Sequence, residues 1–267
     1  MPEVTYLRPR DVADAARLYR DHPSCRPLAG GTDVMVMLHA GALQPAPSAL
    51  LDLWPLGELK GIRRFNGALE IGAAEPYTGI IRSALVREHL PALVAASHTI
   101  GAAQIQNRGT LGGNLANASP AGDTLPVLLA YDATVVTDRR TIAVSNFFTG
   151  YRKTALQAAE LIVAVRFPLD GRTVRFRKVG TRAAQAISKV VMAVSREPAR
   201  IAVGSVAEVP LRARDAEAAL TRGDVAGAVA AIAADIRPID DVRSTAAYRR
   251  AVAQNVLRDL LDASPRR

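Results

Sequence analysis

The chain has 267 residues with 34 basic and 25 acidic side chains, a formal net charge of +9. That length allows one large domain or two to three small ones with real cores. Cys25 is the single cysteine, which excludes an internal disulfide, a zinc site of four cysteines and an iron–sulfur cluster held by this chain alone. The four histidines, His22, His39, His89 and His98, show no metal-ligand spacing. The N-terminus lacks signal-peptide character and no apolar run reaches membrane-spanning length. The expected compartment is therefore the cytoplasm, without membrane insertion. Residues 171–267 carry 18 basic and 10 acidic side chains, so 18 − 10 = +8 of the charge lies there. Such a surface is either solvated and Arg-rich or a docking face for an acidic partner. Without a recognisable module or interleaved aromatics, nucleic acid is not an expected partner.

In chain order, the pattern predicts a strand over 4–7 and a helix over 11–21 capped by Asp11, with Val12, Ala15, Ala16, Leu18 and Tyr19 on one face. A second strand over 26–29 leads into a glycine turn. A helix over 34–39 follows, with Thr32 or Asp33 as its cap. A third strand at 49–53 completes a small βαβ-like unit. Next come a strand at 69–72, a turn at 75–78, and helices over 79–86 and 91–97. An apolar run at 125–129 precedes a hairpin of 134–137 with 141–144 and a strand from 161 towards Pro168. Residues 169–172 read as a domain boundary. Beyond it lie β segments at 174–178, 189–194 and 200–207. Helices over 212–220, 225–234 and 244–262 close the chain, the last with Ala247, Ala251, Val252, Val256 and Leu260 at helical spacing.

Two glycine-rich stretches carry the chemistry: Leu28-Ala29-Gly30-Gly31-Thr32-Asp33, and Asn107 to Asn114 running on to Asp123. Glycine lets a backbone N–H approach a ligand closely, and successive amides form concave anion sites. Two such stretches far apart suggest one elongated ligand with a central anion, such as a dinucleotide. Taken alone, the first is also an ordinary strand-to-helix turn. No G-x-G-x-x-G follows a strand, and G-x-x-x-x-G-K-[ST], H-E-x-x-H and G-x-S-x-G are all missing.

Five segments resemble the FAD-binding subunit of molybdenum-containing hydroxylases, the xanthine dehydrogenase and carbon monoxide dehydrogenase family. They are LAGGTDV at 28–34, TIGAAQIQNRGTLGGNLANASPAGDTLP at 99–126, FFTGYRKTAL at 147–156, FRKVGTRAAQAISKV at 176–190 and RIAVGSVAEVPLRA at 200–213. The resemblance implies an α+β fold. Two FAD-binding subdomains of the vanillyl-alcohol-oxidase/PCMH type, 1–58 and 59–171, precede a C-terminal α+β domain, 172–267. The connection between Val191 and Arg200 is shorter than the family's, implying a truncated hairpin at 195–198.

The resemblance also implies site roles. Gly30, Gly31, Thr32 and Asp33 match the first pyrophosphate loop, with Leu28 and Ala29 adding backbone contacts. Thr110, Leu111, Gly112, Gly113 and Asn114 match the second loop. Asp123 matches an acidic residue that accepts from ribose hydroxyls. Ile100 and Gly101 match positions along the isoalloxazine, and Ile162 a backbone contact near the adenine or ribose. Lys178 matches a lysine near the flavin ring that would stabilise its anionic reduced form. The loop at Ala186-Ile187-Ser188 resembles one near the ring's exposed edge.

FAD is thus the implied cofactor. The molybdenum cofactor is implied on a large partner subunit and [2Fe-2S] clusters on a small one. NAD, oxygen or a quinone is the implied electron acceptor. No catalytic residue and no metal ligand is expected of this chain. A xanthine-like N-heterocycle is the favoured substrate of the complex, with carbon monoxide or an aldehyde as alternatives. Competing readings are a docking module without redox role and a stand-alone flavin oxidase.

Overall fold

The computed structural model describes residues 5–183 and 185–262. Val4, expected in the first strand, and Ala184, within the fourth matching segment, lie outside the described residues. Three larger sheets and a two-stranded ribbon, Phe148–Gly150 with Lys153–Thr154, surround three buried cores, and a cavity draws on the three larger sheets.

The first sheet has three parallel strands, with Ala49–Asp52 between Thr5–Leu7 and Arg26–Leu28. Asp11 caps the helix Val12–Asp21, its Oδ1 accepting from the Asp14 N–H at 2.7 Å. That helix buries Ala15 and Ala16 in a core shared with Cys25, Leu51 and Leu53. The helix Val34–His39 has Asp33 at its N-cap, without a side-chain capping bond.

The second sheet is antiparallel, in the order Ile62–Phe65, Ala68–Gly72, Ile162–Pro168, Thr134–Thr137 and Thr141–Ala143. Leu69, Ile71, Val135, Val165 and Phe167 face a core closed by the helix Leu125–Ala130, buried at every position. Ile62–Phe65 was not expected: its Arg63-Arg64 pair and exposed face mask the strand alternation. The expected helix over 79–86 is two helices, Tyr77–Arg82 and Ala84–His89. Ser83 breaks them and caps the second. The second glycine stretch is also not an open turn. It forms the helices Ala103–Gln106 and Leu111–Asn117, the latter containing Gly112 and Gly113.

The third sheet runs Val174–Val179, Val190–Ser195, Arg200–Gly204 and Leu211–Arg212, all antiparallel. Ser195 pairs directly with Arg200, so the expected tight hairpin is present. The strand expected to reach 207 stops at Gly204. Leu211–Arg212 forms an edge strand where a helix was expected, and the helix begins at Arg214. The last helix, Ala246–Asp262, buries Ala253, Val256, Leu257, Leu260 and Leu261. Ala247 and Ala251 are exposed, contrary to the expected face. Arg249 takes the inward position instead, its charge matched by Asp241 at 2.7 Å.

Asp132, held at a φ of 51°, joins the second and third sheets. Its carboxylate accepts from Arg172 at 2.7 Å, Arg200 at 2.8 Å and Arg212 at 2.8 Å. Among the described residues no helix is long and apolar enough to cross a membrane, and no His, Cys, Asp and Glu group could hold a metal ion.

Candidate functional site

A cavity of about 840 Å3 opens where the three sheets meet, within the size range of sites for sizeable organic ligands. The first sheet supplies the turn after Arg26–Leu28, the second supplies Ile162 at its strand start, and the third supplies Lys178 from Val174–Val179.

The first glycine turn is an open row of donors. Among the described residues, the backbone N–H groups of Gly30, Gly31 and Thr32 find no protein acceptor. Gly31 holds a φ of 79°, a conformation that L side chains rarely adopt. All three residues line the cavity. Consecutive free amides in such a bend attract an anion without any basic side chain.

The second stretch contributes differently. The amides of its glycine pair and of Asn114 are engaged within the protein: Gly112 N–H to Ala73 O at 2.9 Å, Gly113 N–H to Thr110 Oγ1 at 3.0 Å, and Asn114 N–H to Thr110 O at 3.0 Å. Gly112 lacks a side chain for a steric reason, because a Cβ there would stand 2.6 Å from the Ala73 carbonyl oxygen. The stretch therefore acts as a closely fitted wall opposite the first turn, and the two walls touch. A Cβ on Gly30 would fall onto the Arg108 carbonyl oxygen.

Of the residues singled out from the sequence, Ala29, Gly30, Gly31, Thr32, Asp33, Ile100, Gly101, Thr110, Gly112, Gly113, Asn114, Asp123, Ile162 and Lys178 line this one cavity. Leu28 and Leu111 do not. The Leu28 carbonyl accepts from Leu53 N–H at 2.8 Å, and the Leu111 side chain is fully buried in the core.

Asp123 and Lys178, separate expectations in the sequence, form one buried ion pair. Lys178 Nζ donates to Asp123 Oδ2 at 2.6 Å and to Thr99 O at 3.1 Å. Burial pushes the Asp123 carboxyl above the usual carboxylate range, even against the pull of Lys178. Asp123 Oδ1 is buried without a hydrogen-bond partner among the described residues, as is the Tyr77 hydroxyl beneath the same cavity. Burial, followed by nearby Asp123 and Asp33, raises the Tyr77 hydroxyl well above its ordinary range, so it stays protonated.

Several lining residues were not anticipated. Arg152 reaches the cavity from a turn with φ 53° and donates to Asn117 Oδ1 at 2.7 Å. Its segment matched the family, but nothing in the sequence assigned it chemistry. Glu160 also lines the cavity. Arg140 foremost, then Gln157 N–H and the Thr137 hydroxyl, hold its carboxyl down at about 2 despite burial. Ala186 and Ile187 form one rim, with Ile187 exposed and Ser188 tied to Ser205 at 2.8 Å.

A dinucleotide with a flavin at one end fits these residues. The free amides suit a diphosphate, the buried Asp123 carboxylate suits hydroxyls, and Ile100 and Gly101 give an apolar wall.

Comparison with known proteins agrees. The domain described as "FAD binding domain in molybdopterin dehydrogenase" matches residues 2–170, and the "CO dehydrogenase flavoprotein C-terminal domain" matches 175–264. The chain is 31% identical to the glyceraldehyde dehydrogenase medium chain of Sulfolobus acidocaldarius, over 95% of each chain. It is 34% identical to the xanthine dehydrogenase FAD-binding subunit of Escherichia coli O157:H7, over 80% of this chain and 78% of that protein. A solved carbon monoxide dehydrogenase chain from Hydrogenophaga pseudoflava superposes with a TM-score of 0.91 at 30% identity, covering 98% of this chain and 97% of that one. The chain therefore belongs to the FAD-binding flavoprotein subunits of the oxidoreductases of the molybdenum hydroxylase family.

Proposed function

We propose that this chain binds FAD in the cavity between its two glycine stretches. In this role it passes electrons from the [2Fe-2S] clusters of a small cytoplasmic partner subunit to a terminal acceptor. The observation that carries the reading is the row of free amides at Gly30, Gly31 and Thr32, facing a wall that fits against them without space for a Cβ. Bound there, FAD supplies a centre that takes electrons singly and releases them singly or in pairs.

The chain's own residues bind, orient and screen. The amides of Gly30, Gly31 and Thr32 hold the diphosphate, with Ala29 and Asp33 flanking them. Thr110, Gly112, Gly113 and Asn114 form the opposing wall, anchored from behind by the buried Leu111. Asp123 accepts from sugar hydroxyls and keeps Lys178 in place. Lys178, on its strand at the cavity's far side, presents a fixed positive charge to the ring. Ile100, Gly101 and Ile162 line the apolar faces, and the rim of Ala186 and Ile187 limits water. No general base, nucleophile or metal ligand is assigned to this chain.

Substrate oxidation falls to a large partner subunit with a molybdenum cofactor. An aromatic N-heterocycle of the purine type is the favoured substrate class, supported by the 34% identity, over 80% of this chain, to the xanthine dehydrogenase FAD-binding subunit. The test is anaerobic addition of xanthine, glyceraldehyde and carbon monoxide, in turn, to the purified complex. Bleaching of the flavin absorbance by xanthine alone supports the reading. Bleaching by carbon monoxide or glyceraldehyde instead reassigns the substrate, and no bleaching by any of them contradicts the proposed substrate class. Reoxidation by NAD, oxygen or a quinone then identifies the acceptor.

A further inference from the structure

The only tryptophan of the chain, Trp54, stands just past the central strand of the first sheet. Its N–H is fixed to Asp52 Oδ1 at 3.1 Å. The Arg108 guanidinium lies 3.8 Å from its ring centroid and the Lys60 Nζ lies 4.4 Å from it. Arg108 belongs to the second glycine stretch, and its Nε also points at Gly30 O from 3.4 Å. One residue thus touches both walls of the cavity: its side chain meets Trp54 and Gly30, and its carbonyl meets the Cα of Gly30. Trp54 does not line the cavity.

We infer that Trp54 is a positioning residue for the cofactor site. By stacking on Arg108 it fixes how close the second stretch comes to the amides of Gly30, Gly31 and Thr32. The inference rests on the proposed FAD site. Stacked cation–aromatic pairs are favourable because the ring face is negative, and they gain when partly desolvated, as this half-buried ring is. The pair adds to an apolar core in which Leu51 and Leu53 of the first sheet's side already meet Ala74, Leu161 and Val163 of the second, so the flavin-free fold does not depend on it.

The test uses the full-length chain freed of flavin. The FAD dissociation constant and the melting temperature of the flavin-free protein are measured for the parent, Trp54→Leu, Trp54→Phe, Arg108→Gln and the Trp54→Leu/Arg108→Gln double variant. Trp54→Leu is expected to raise the dissociation constant about tenfold, the scale of one such stacked pair. Trp54→Phe should recover most of that. The double variant should bind no more weakly than the poorer single variant, because both changes remove one interaction. The flavin-free melting temperatures of Trp54→Leu and the parent should stay close. Unchanged affinity in Trp54→Leu overturns the inference, as do multiplying effects in the double variant. So does a loss of affinity that merely follows a loss of flavin-free stability. A parent chain that binds no FAD overturns the site itself, whereas a binding parent with unaffected variants overturns only the role of Trp54.

Discussion

Gly30 rests its Cα against the carbonyl of Arg108, a residue 78 positions later and on another sheet's side of the cavity. This contact sets the spacing between the open amides and the opposing wall. A methyl group at Gly30 would have to push the two apart. Gly30→Ala is therefore expected to raise the FAD dissociation constant by about tenfold or more, since overpacking of this kind costs about 1–3 kcal/mol. Fluorescence titration of FAD into the flavin-free chain reads this directly, and an unchanged constant would remove the contact from the account.

Lys178→Met leaves the buried Asp123 carboxylate without its cation. Breaking one side of a buried pair costs about 3–5 kcal/mol. The pH dependence gives a second signature. The folded-state pKa of Asp123 already lies above its unfolded value, so the folded protein binds this proton more readily, and the penalty eases as pH falls through the folded pKa. Removing Lys178 raises that pKa further. Melting curves from neutral to mildly acidic pH should therefore show the variant's deficit shrinking towards acid. A deficit that is the same at every pH would contradict the pairing.

Glu160 works in the opposite direction. Its carboxyl is held at about 2, first by Arg140, against an ordinary value of 4.5. Its contribution to stability is complete above the unfolded value and is lost as pH falls towards the folded one. Glu160→Gln should thus be less stable than the parent by a constant amount above pH of about 4.5, and the difference should narrow below it. Parallel thermal melts of the two proteins from pH 6 downwards check this. A gap that widens in acid has the wrong sign for the account.

Asp132→Ala removes the one carboxylate shared by Arg172, Arg200 and Arg212. The Arg172 and Arg212 side chains are nearly buried there and each keeps a second carboxylate, Asp170 and Glu217, so the cost is at the low end for a broken buried pair, about 3 kcal/mol. A chain of this size should then melt roughly 6–12 °C lower in calorimetry. If the third sheet detaches first, the single transition should split in two. A melting point within about 2 °C of the parent would show that the apolar contacts alone join the sheets.

Much of the fold could be read in the sequence, because its local signals were strong. Asp11 before an apolar-periodic stretch gave the first helix and its cap. The run 49–53 gave a central strand, since parallel strands read as continuous apolar sequence. The hairpin between Thr137 and Thr141 followed from alternation. The rest lies where a local signal is masked or ambiguous. Asn66-Gly67 is a hairpin turn with φ of 46° and 76°, a recognisable signal, but Arg63-Arg64 hid the strand before it. In the last helix, Arg249 faces inward only because Asp241, eight residues earlier, neutralises it.

The residues of the cavity were legible as a set; their division of labour was not. Glycine in both stretches suggested open amides in both. The glycines of the first have them, whereas Gly112 and Gly113 sit in the opening turn of Leu111–Asn117, where Thr110 and Ala73 take their N–H groups. Gly112 is needed because Ala73 is close, a contact between residues 39 positions apart. The Asp123–Lys178 pair and the Trp54–Arg108 stack are likewise products of tertiary packing, to which local pattern is blind.

The most direct measurement is the flavin content of the purified full-length chain, by visible absorbance and by release of the coenzyme in acid. The account predicts a yellow protein with one FAD per chain, and a Gly30→Ala variant that loses its colour on dilution long before the parent does. A folded chain that stays colourless after saturation with FAD would contradict it.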